Sequence, residues 1–541
     1  MSGYILAFDQ GTTSSRAIIF DDAAQPVHIV QQPIQLATPK TGYVEQDAMQ
    51  IWHTQISCAH DVILQAGLLA TDISAIAITN QRETTVIWNK KTGKPVAPAI
   101  VWQDRRTKQW CDQQIQRLQQ QSEHLDKAVD LQKITGLRLD PYFSASKIVW
   151  LLENDPELRR QAQNGELAFG TVDSWLIFKL TGGEHLIDVS NASRTLLLDI
   201  NTLSWSQPLL DQFNIPSSLL PKVVASDADF GKTRSGLFAK QIPIKAVLGD
   251  QQAALFGHGC IKAGMAKNTY GTGCFMLMNT GQQPQFSQHH LLTTVAWQSH
   301  LKSQNVSSQK DKSLDTESSS ALSTIDKLIN VGRRSLSRST LQASYALEGS
   351  VFMAGAVVQW LRDNLGIIQN SQEVEVLANQ VNSSESVVLL PAFTGLGAPH
   401  WKPDALASIT GMNRGTTKAH IARAALESIA FQVYDVLVAM QKDAPSALTE
   451  LRVDGGACRN DLLMQFQADL LQVPVLRPVD TEVTAKGAAL LAGIHSGIYD
   501  ENTIEQSWRL QKCFEPTMSN AQREYHLQKW QSALQQILHV S

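Results

Sequence analysis

Apolar positions along the chain fall into short unbroken runs separated by polar turns. Residues 4–9 (Tyr-Ile-Leu-Ala-Phe-Asp) make one such run, residues 10–15 are polar, and residues 16–20 resume the run until Asp21-Asp22. Short apolar runs bounded by turn residues read as buried strands, so the chain is expected to open on a β-hairpin with an acid at the end of its first strand. Runs at 73–79, 85–88 and 99–102 predict further strands. Helical periodicity at about 47–66, 105–121 and 144–153 predicts helices, the last stopped before Asn154-Asp155-Pro156.

Near the middle the pattern restarts. Residues 246–249 read as a strand ending in Gly249-Asp250-Gln251-Gln252, followed by a helical stretch at 253–257. A second hairpin, 266–269 with 274–278, surrounds Tyr270-Gly271-Thr272-Gly273 about 260 residues after the first. The two hairpins point to a structural duplication rather than to two unrelated turns. A helix is expected over 354–365, with Val357, Trp360, Leu361 and Leu365 on one face and Gly366 at its C-cap. Another is expected from Lys418 to about Met440, and a small-residue helix from Lys486-Gly487-Ala488-Ala489-Leu490. Residues 451–453 predict a strand opening onto Asp454-Gly455-Gly456-Ala457. Strands and helices alternate throughout, which argues for α/β sheets in both halves.

Composition narrows this picture. With 541 residues, 43% hydrophobic and 18% charged, the chain suits two or three folded domains. Lys plus Arg is 46 against 50 Asp plus Glu, a net charge of −4, so no basic field for nucleic acid is present. Cys58, Cys111, Cys260, Cys274, Cys458 and Cys513 form no C-x-x-C pair and have no zinc-finger histidine spacing, which suggests reduced thiols in the cytoplasm. The N-terminal apolar run is cut by Asp9 and lacks a charged preamble, so no secretory signal is expected, and no run is long enough for a membrane span. One anomaly remains: 13 of the 46 residues from 299 to 344 are serine, with seven Lys/Arg and four Asp/Glu. A stretch of that length is expected to be a solvated insert, with a possible short amphipathic helix at 321–331.

The candidate chemistry lies in the turns. No G-x-x-x-x-G-K-[ST] sequence exists, and Gly257-x-Gly259 and Gly271-x-Gly273 lack the third glycine of a dinucleotide fingerprint. What the chain does have is Asp9-Gln10-Gly11-Thr12-Thr13-Ser14, a strand-end carboxylate beside a tight turn. Gly11 allows close backbone approach, and successive amides with three hydroxyls can wrap a phosphate. Asp9 can hold Mg²⁺, which takes one or two carboxylates plus substrate phosphates. A plain hairpin turn is the alternative. Three glycine-hydroxyl turns, at 11–14, 271–273 and 455–456, could clamp one nucleotide.

These motifs carry a resemblance. Residues 9–16 resemble the first phosphate motif of the actin-like ATPase clan. Asn80-Gln81-Arg82-Glu83-Thr84, Gly249-Asp250-Gln251-Gln252-Ala253 and the stretches 268–275 and 393–399 resemble the FGGY carbohydrate kinases. So do Tyr142-Phe143-Ser144-x-Ser146-Lys147-Ile148-x-Trp150-Leu151 and Ser408-Ile409-x-Gly411-Met412. The similarity spans nearly the whole chain except about 299–343. It implies an α/β fold of two actin-like (ribonuclease H-like) domains, 1–252 and 253–541, each a mixed sheet flanked by helices, with the active site in the cleft between them. It also implies ATP and Mg²⁺ as cofactors, glycerol as the acceptor at the entry of its catabolism, a dimer or tetramer, and closure of the domains to exclude water.

Residue by residue, the resemblance makes Asp250 the general base, with a helix N-cap as the alternative role. It makes Arg82 and Glu83 the grip on the glycerol hydroxyls, the alternative being a surface ion pair. Tyr142 and Gln251 complete the polar contacts, and Trp102 and Phe275 become apolar walls unless they are ordinary core. Thr12, Thr13, Ser14 and Arg16 would meet the phosphates from one side, Gly271 and Thr272 from the other. Gly355 and Gln359 start a helix whose N-terminus favours anions. Gly456 and Asn460 resemble the adenosine-side pair, with simple packing glycines as the alternative for Gly355 and Gly456. Two regulatory features of relatives are not matched. Residues 237–241, before Ile242-Pro243-Ile244, hold neither the glycines nor the arginine of a sugar-bisphosphate loop, and residues 225–241 hold no histidine for a phosphorylation switch. Two other readings stay open: a pentulose or gluconate kinase of the same family, and an actin-like filament or chaperone ATPase.

Overall fold

The first apolar run forms its hairpin. In this computed structural model, which describes residues 3–124, 130–300, 341–402, 404–480 and 482–538, β1 (Tyr4–Gln10) pairs antiparallel with β2 (Ser14–Phe20). Asp9 stands opposite Arg16, and the Gly11 N–H donates to Ser14 O at 3.0 Å to close the turn. The turn is tighter than its polar letters suggest, because Ser14 and Ser15 already belong to β2. β3 (Pro26–Pro33) continues the sheet antiparallel, while β4 (Ile73–Asn80) and β5 (Ile244–Gly249) lie parallel on the other side of β1, in the order β5-β4-β1-β2-β3. The apolar runs of β1, β4 and β5 are buried almost throughout, as parallel strands covered on both faces require.

The second sheet repeats this plan. It contains β6 (Ala266–Tyr270), β7 (Cys274–Gly281), β8 (Leu292–Ser299), β9 (Gln342–Val351), β10 (Leu451–Asp454), β11 (Val475–Pro478) and β12 (Leu510–Phe514). The order is β8-β9-β7-β6-β10-β11-β12. Its hairpin β6–β7 is antiparallel, β7–β9 is antiparallel, and β6–β10 and β10–β11 are parallel. Strands 9-7-6-10-11 therefore match 3-2-1-4-5 in order and in direction. This is the duplication that the two hairpins pointed to, with β8 and β12 added at the edges.

Helices cover and join the sheets. α1 (Ala48–Gln65), capped by Asp47 whose side chain accepts from the Met49 N–H, buries Ile51, Trp52, Cys58 and Val62 in the core of the first sheet. α2 (Ser144–Asn154) lies in a separate cluster with Phe143 and Phe169. α3 (Asp250–Gly257) leaves the end of β5 directly. Its helix begins at Asp250 rather than at 253: Gly249 takes the N-cap position, and an acid in the first turn complements the helix dipole. Further on are α4 (Gly355–Asp363), α5 (Lys418–Asp443), α6 (Asp461–Leu471) and α7 (Val483–His495). α7 starts three residues before the expected Lys486, since Val483-Thr484, β-branched and poor in helix propensity, hides its first turn.

α3 and α7 form the joint between the two sheets. A Cβ on Gly487 would clash with the Ala253 carbonyl, and one on Gly257 with that of Val483, so the two helices cross backbone to backbone. Their small residues share a core with Ala75, Ala77 and Leu248 of the first sheet and Leu277 and Ala346 of the second. Among the described residues the six cysteines are free, and no helix is long and apolar enough to cross a membrane. The expected helix at 321–331 lies outside the described residues. β8 ends at Ser299 and β9 opens at Gln342, and these two residues are direct cross-strand partners.

Candidate active site

The ends of β4 and β5 lie side by side, with Gly249 paired to Asn80, and the chain beyond each carries the charged residues. Arg82 and Glu83, just past β4, are each only 2% exposed, which excludes a surface ion pair. The Arg82 guanidinium is fully engaged. Its Nε lies 3.2 Å from Asp250 Oδ1, and Nη1 and Nη2 lie 2.6 and 2.9 Å from the two oxygens of Glu348. Nη1 also donates to Gln252 Oε1 at 3.3 Å and Nη2 to the Tyr142 hydroxyl at 3.4 Å. Asp250 opens α3 and accepts from the Gln251 N–H at 2.7 Å. Its side chain is 32% exposed. Burial raises its carboxyl to about 6, against the opposing pull of Arg82 and Lys267.

Three aromatic rings stand beside this cluster. Trp102 meets Tyr142 edge-on at 5.6 Å and Phe275 edge-on at 6.1 Å between centroids. Phe275 comes from β7 of the second sheet, so both halves supply the walls. None of the three is fully buried, which distinguishes them from core aromatics such as Trp88 and Trp175. Gln251 Oε1 accepts from Lys267 Nζ at 2.5 Å, and Lys267 also donates to Thr269 Oγ1 and to the Phe275 carbonyl. Burial lowers the Lys267 ammonium to about 8.

Three of these residues escape the motif reading: Glu348, Arg194 and Lys267. Arg194, fully buried, donates from Nε to Glu83 Oε1 at 2.8 Å and from Nη2 to Glu348 Oε1 at 3.0 Å. Burial alone would raise the Glu348 carboxyl, but Arg194 and Arg82 outweigh it and hold it at about 2. The one signal was weak: Glu348 and Lys267 are each the single charged residue of a strand that also holds uncharged polar residues.

The first turn adjoins this cluster. Thr12 Oγ1 accepts from Trp102 Nε1 at 2.9 Å, its carbonyl accepts from Gln46 Nε2 at 2.6 Å, and Thr13 is exposed at the tip with Ser14 half-buried behind it. Arg16 is held between Asp9 and Glu482, at 2.5 Å from each, and the Asp9 carboxylate raises its guanidinium further. In the second turn, Gly271 N–H donates to Gly273 O. The carbonyls of Gly271 and Thr272 then accept the N–H groups of residues 354, 355 and 356. The N-terminus of α4 is therefore closed by this turn, where the sequence suggested amides open to an anion. A Cβ on Gly355 would stand 2.6 Å from Gly271 O, so the glycine lets helix and turn meet. Gln359, one turn on, is exposed. Gly455, at φ +87, lies against the Tyr270 carbonyl, which brings the third turn to the second. Gly456 beside it is exposed, and a Cβ there would meet nothing within 4 Å. Asn460 caps α6 by accepting from the Leu463 N–H at 2.8 Å.

Contacts thus link Thr12, Trp102, Tyr142, Phe275, Arg82, Glu83, Asp250 and Gln251 into one site, with Asp9 and Arg16 paired beside it. Gly271, Thr272 and Gly355 form a second group. Gln359 stands one helical turn beyond Gly355, and Gly456 and Asn460 belong to the third turn.

Comparison with known proteins adds three findings. Residues 4–257 match the N-terminal domain of the FGGY family of carbohydrate kinases, and residues 266–496 match its C-terminal domain. The chain is 55% identical over 533 residues to a glycerol kinase of Acinetobacter baylyi, covering 98% of each chain, and 52% identical to one of a Janthinobacterium species, covering 99% of each. The crystal structure of Plasmodium falciparum glycerol kinase with ADP superposes with a TM-score of 0.84 at 34% identity, covering 99% of this chain and 98% of that one.

Proposed function

The chain belongs to the FGGY family of carbohydrate kinases, and from that membership we propose that it transfers the terminal phosphoryl group of ATP to glycerol, giving sn-glycerol 3-phosphate and ADP. The names of relatives at 50–55% identity over nearly their full length support glycerol over a pentulose or gluconate. An actin-like filament or chaperone ATPase has no use for a buried Arg82-Glu83 pair facing Asp250.

The observation that carries the reading is the convergence of Arg82, Glu83 and Asp250 beside the half-open rings of Trp102, Tyr142 and Phe275. A small neutral triol needs donors and acceptors fixed together, with apolar walls for its carbons. Arg82 and Glu83 supply the polar side, helped by Tyr142 and Gln251, and the rings supply the walls. Asp250 is the one carboxylate of the acceptor cluster open to the cleft, so it is the group to accept the proton of the attacking hydroxyl. As that oxygen bonds to the terminal phosphorus, the bond to ADP breaks, and the chain's part is positioning and charge compensation. Thr12, Thr13, Ser14, Gly271, Thr272 and Arg16 face the phosphates in this reading. Gly355, Gln359, Gly456 and Asn460 line the nucleoside side, and the exposed Gly456 leaves room there for a base.

Mg²⁺ belongs to the same proposal. No three His, Cys, Asp or Glu side chains among the described residues stand close enough to hold a metal by themselves. Two carboxylates do stand close by, Asp9 and Glu482, each 2.5 Å from Arg16. Hard oxygen donors without a full protein cage fit a cation that arrives with its nucleotide and keeps phosphate and water oxygens. Asp9 would hold it, and its charge would offset that of the phosphates. A division at residues 252/253, a dimer or tetramer, and work in the cytoplasm complete the reading. The test is ADP release over a panel of polyols and sugars. Glycerol is expected to give the highest kcat/KM, and preference for D-xylulose or gluconate would overturn the assignment.

A further inference from the structure

We propose that Glu348 is a positioning residue for the acceptor site, supplied by the second sheet. Its carboxylate clamps Arg82 directly and Glu83 through Arg194, so the grip on the polyol depends on how the two sheets are seated. The proposal rests on the reading of Arg82 and Glu83 as polyol-binding groups.

The side chains form a closed ring. Glu348 leaves the middle of β9 with a fully buried side chain and both oxygens in use. One meets Arg82 Nη1 at 2.6 Å, the other Arg82 Nη2 at 2.9 Å and Arg194 Nη2 at 3.0 Å. Arg194 Nε reaches Glu83 at 2.8 Å, and Glu83 returns to Arg82 Nε at 3.6 Å. Two cations and two anions alternate in a neutral ring, and Asp250 hangs from it through Arg82 Nε.

Stability does not account for this ring. Buried ion pairs are often no better than apolar packing of the same volume, because desolvation offsets their attraction. What the ring does supply is direction. A guanidinium held by a two-oxygen fork cannot rotate, so Arg82 presents one fixed edge, its Nε, to Asp250 and the cleft.

Arg194 is itself rigidly placed. Residues 188–195 are buried throughout, and they tie together the elements that carry the site. Ser190 Oγ accepts the Gly249 N–H at 2.9 Å, and Asn191 and Asn80 exchange amide hydrogen bonds at 3.0 and 3.1 Å. The ends of β4 and β5, from which Arg82 and Asp250 depart, are thus fixed to the segment that carries Arg194. On the same segment Ser193 meets Thr294 of β8 at 2.9 Å, beside β9 in the second sheet. A displacement of β9 against the first sheet would pass through Glu348 to both polyol-binding side chains, with no intervening loop to absorb it.

Steady-state kinetics of Glu348→Gln test this, with glycerol and ATP varied separately. The amide keeps the shape but loses the charge and turns a donor toward the guanidinium groups. The glycerol KM is expected to rise about 10- to 100-fold while the ATP KM stays within about twofold, since misplacement here touches only the acceptor. Glu348→Asp, too short to span the fork, and Arg194→Lys, with one nitrogen in place of the two that reach Glu83 and Glu348, are expected to shift the glycerol KM in the same direction by less. These two milder variants carry the test if Glu348→Gln does not fold. An unchanged glycerol KM in the folded variants, or equal rises in both KM values, would overturn the clamp. If the wild-type enzyme prefers another acceptor, the functional reading falls alone, because the KM for that acceptor then reports on the clamp.

Discussion

The two ends of the cleft are built on opposite plans. At the acceptor end the working groups are buried charged side chains, and Arg82, Glu83, Arg194 and Glu348 each already meet an opposite charge. At the proposed nucleotide end they are turns, with Thr13, Thr272 and Gly456 exposed and Arg16 held back between Asp9 and Glu482. The proposed ligands explain the difference. A neutral triol brings no charge, so it is selected by donors and acceptors fixed before it arrives. A triphosphate brings its own charge and must leave as ADP in every cycle, which short hydroxyls and backbone on exposed turns permit.

Breaking the acceptor end should therefore cost most. Asp250→Asn keeps the volume but removes the proton acceptor, and kcat is expected to fall about 10²–10⁴-fold. ATP binding, measured by titration calorimetry, should be unchanged. Retained turnover would remove Asp250 from its role. Arg82→Ala removes the cation that Glu348, Glu83 and Asp250 share. Uncompensated buried charge of this kind costs about 3–5 kcal/mol of folding stability, to be read from the denaturation midpoint with the slope held constant.

The pH profile sharpens the same contrast. Asp250, raised by burial to about 6, is the active base only above that value, so kcat/KM should fall about tenfold per pH unit below it. Lys267, lowered by burial to about 8, keeps its charge only below that value, and its loss should bring an alkaline decline. A bell between these limits is expected. Lys267→Met should flatten the alkaline limb and move the acid limb to higher pH, because the Lys267 charge helps hold the Asp250 carboxyl down.

At the proposed nucleotide end, single changes act through backbone and should be milder. Gly355→Ala puts a methyl group where the Gly271 carbonyl stands, 2.6 Å away, and pushes the turn from the helix. A roughly 3- to 10-fold rise in ATP KM is expected, with glycerol KM unchanged. An equal effect on both substrates would erase the distinction between the two ends.

Legibility in the sequence divides along the same line. The hairpins and the duplicated sheet could be read because each depends on residues adjacent in the chain: an apolar run, a polar turn, a glycine. Glu348 could not, because its meaning lies in Arg82, 266 positions away, and an acid in a strand otherwise reads as a solvent-facing alternate. The closed N-terminus of α4 was hidden for a similar reason. Its amides meet carbonyls of a turn more than 80 residues earlier, and no local pattern announces that contact. The early start of α3 was concealed by Gly249-Asp250, whose letters suit a turn as well as a cap and first turn.

The smallest effect is expected where the chain departs most from its surroundings in composition. Residues 300–341 connect β8 to β9, yet Ser299 and Gln342 already face each other across the sheet. Two residues suffice to join antiparallel strands at such a pair, and Asn-Gly suits the turn because it tolerates positive φ at both positions. Replacing 300–341 with Asn-Gly keeps the register that places Glu348 opposite Leu292 and in line with Arg82. Both KM values and kcat are expected to stay within about threefold of the full chain, as expected for a change that leaves the reacting groups in place. A two-residue loop closes at a smaller entropic cost than a longer one, so the denaturation midpoint should not fall. A folded deletion variant without activity would mean that this serine-rich stretch takes part in the catalytic cycle, and the division of labour between the two ends of the cleft would then need a third member.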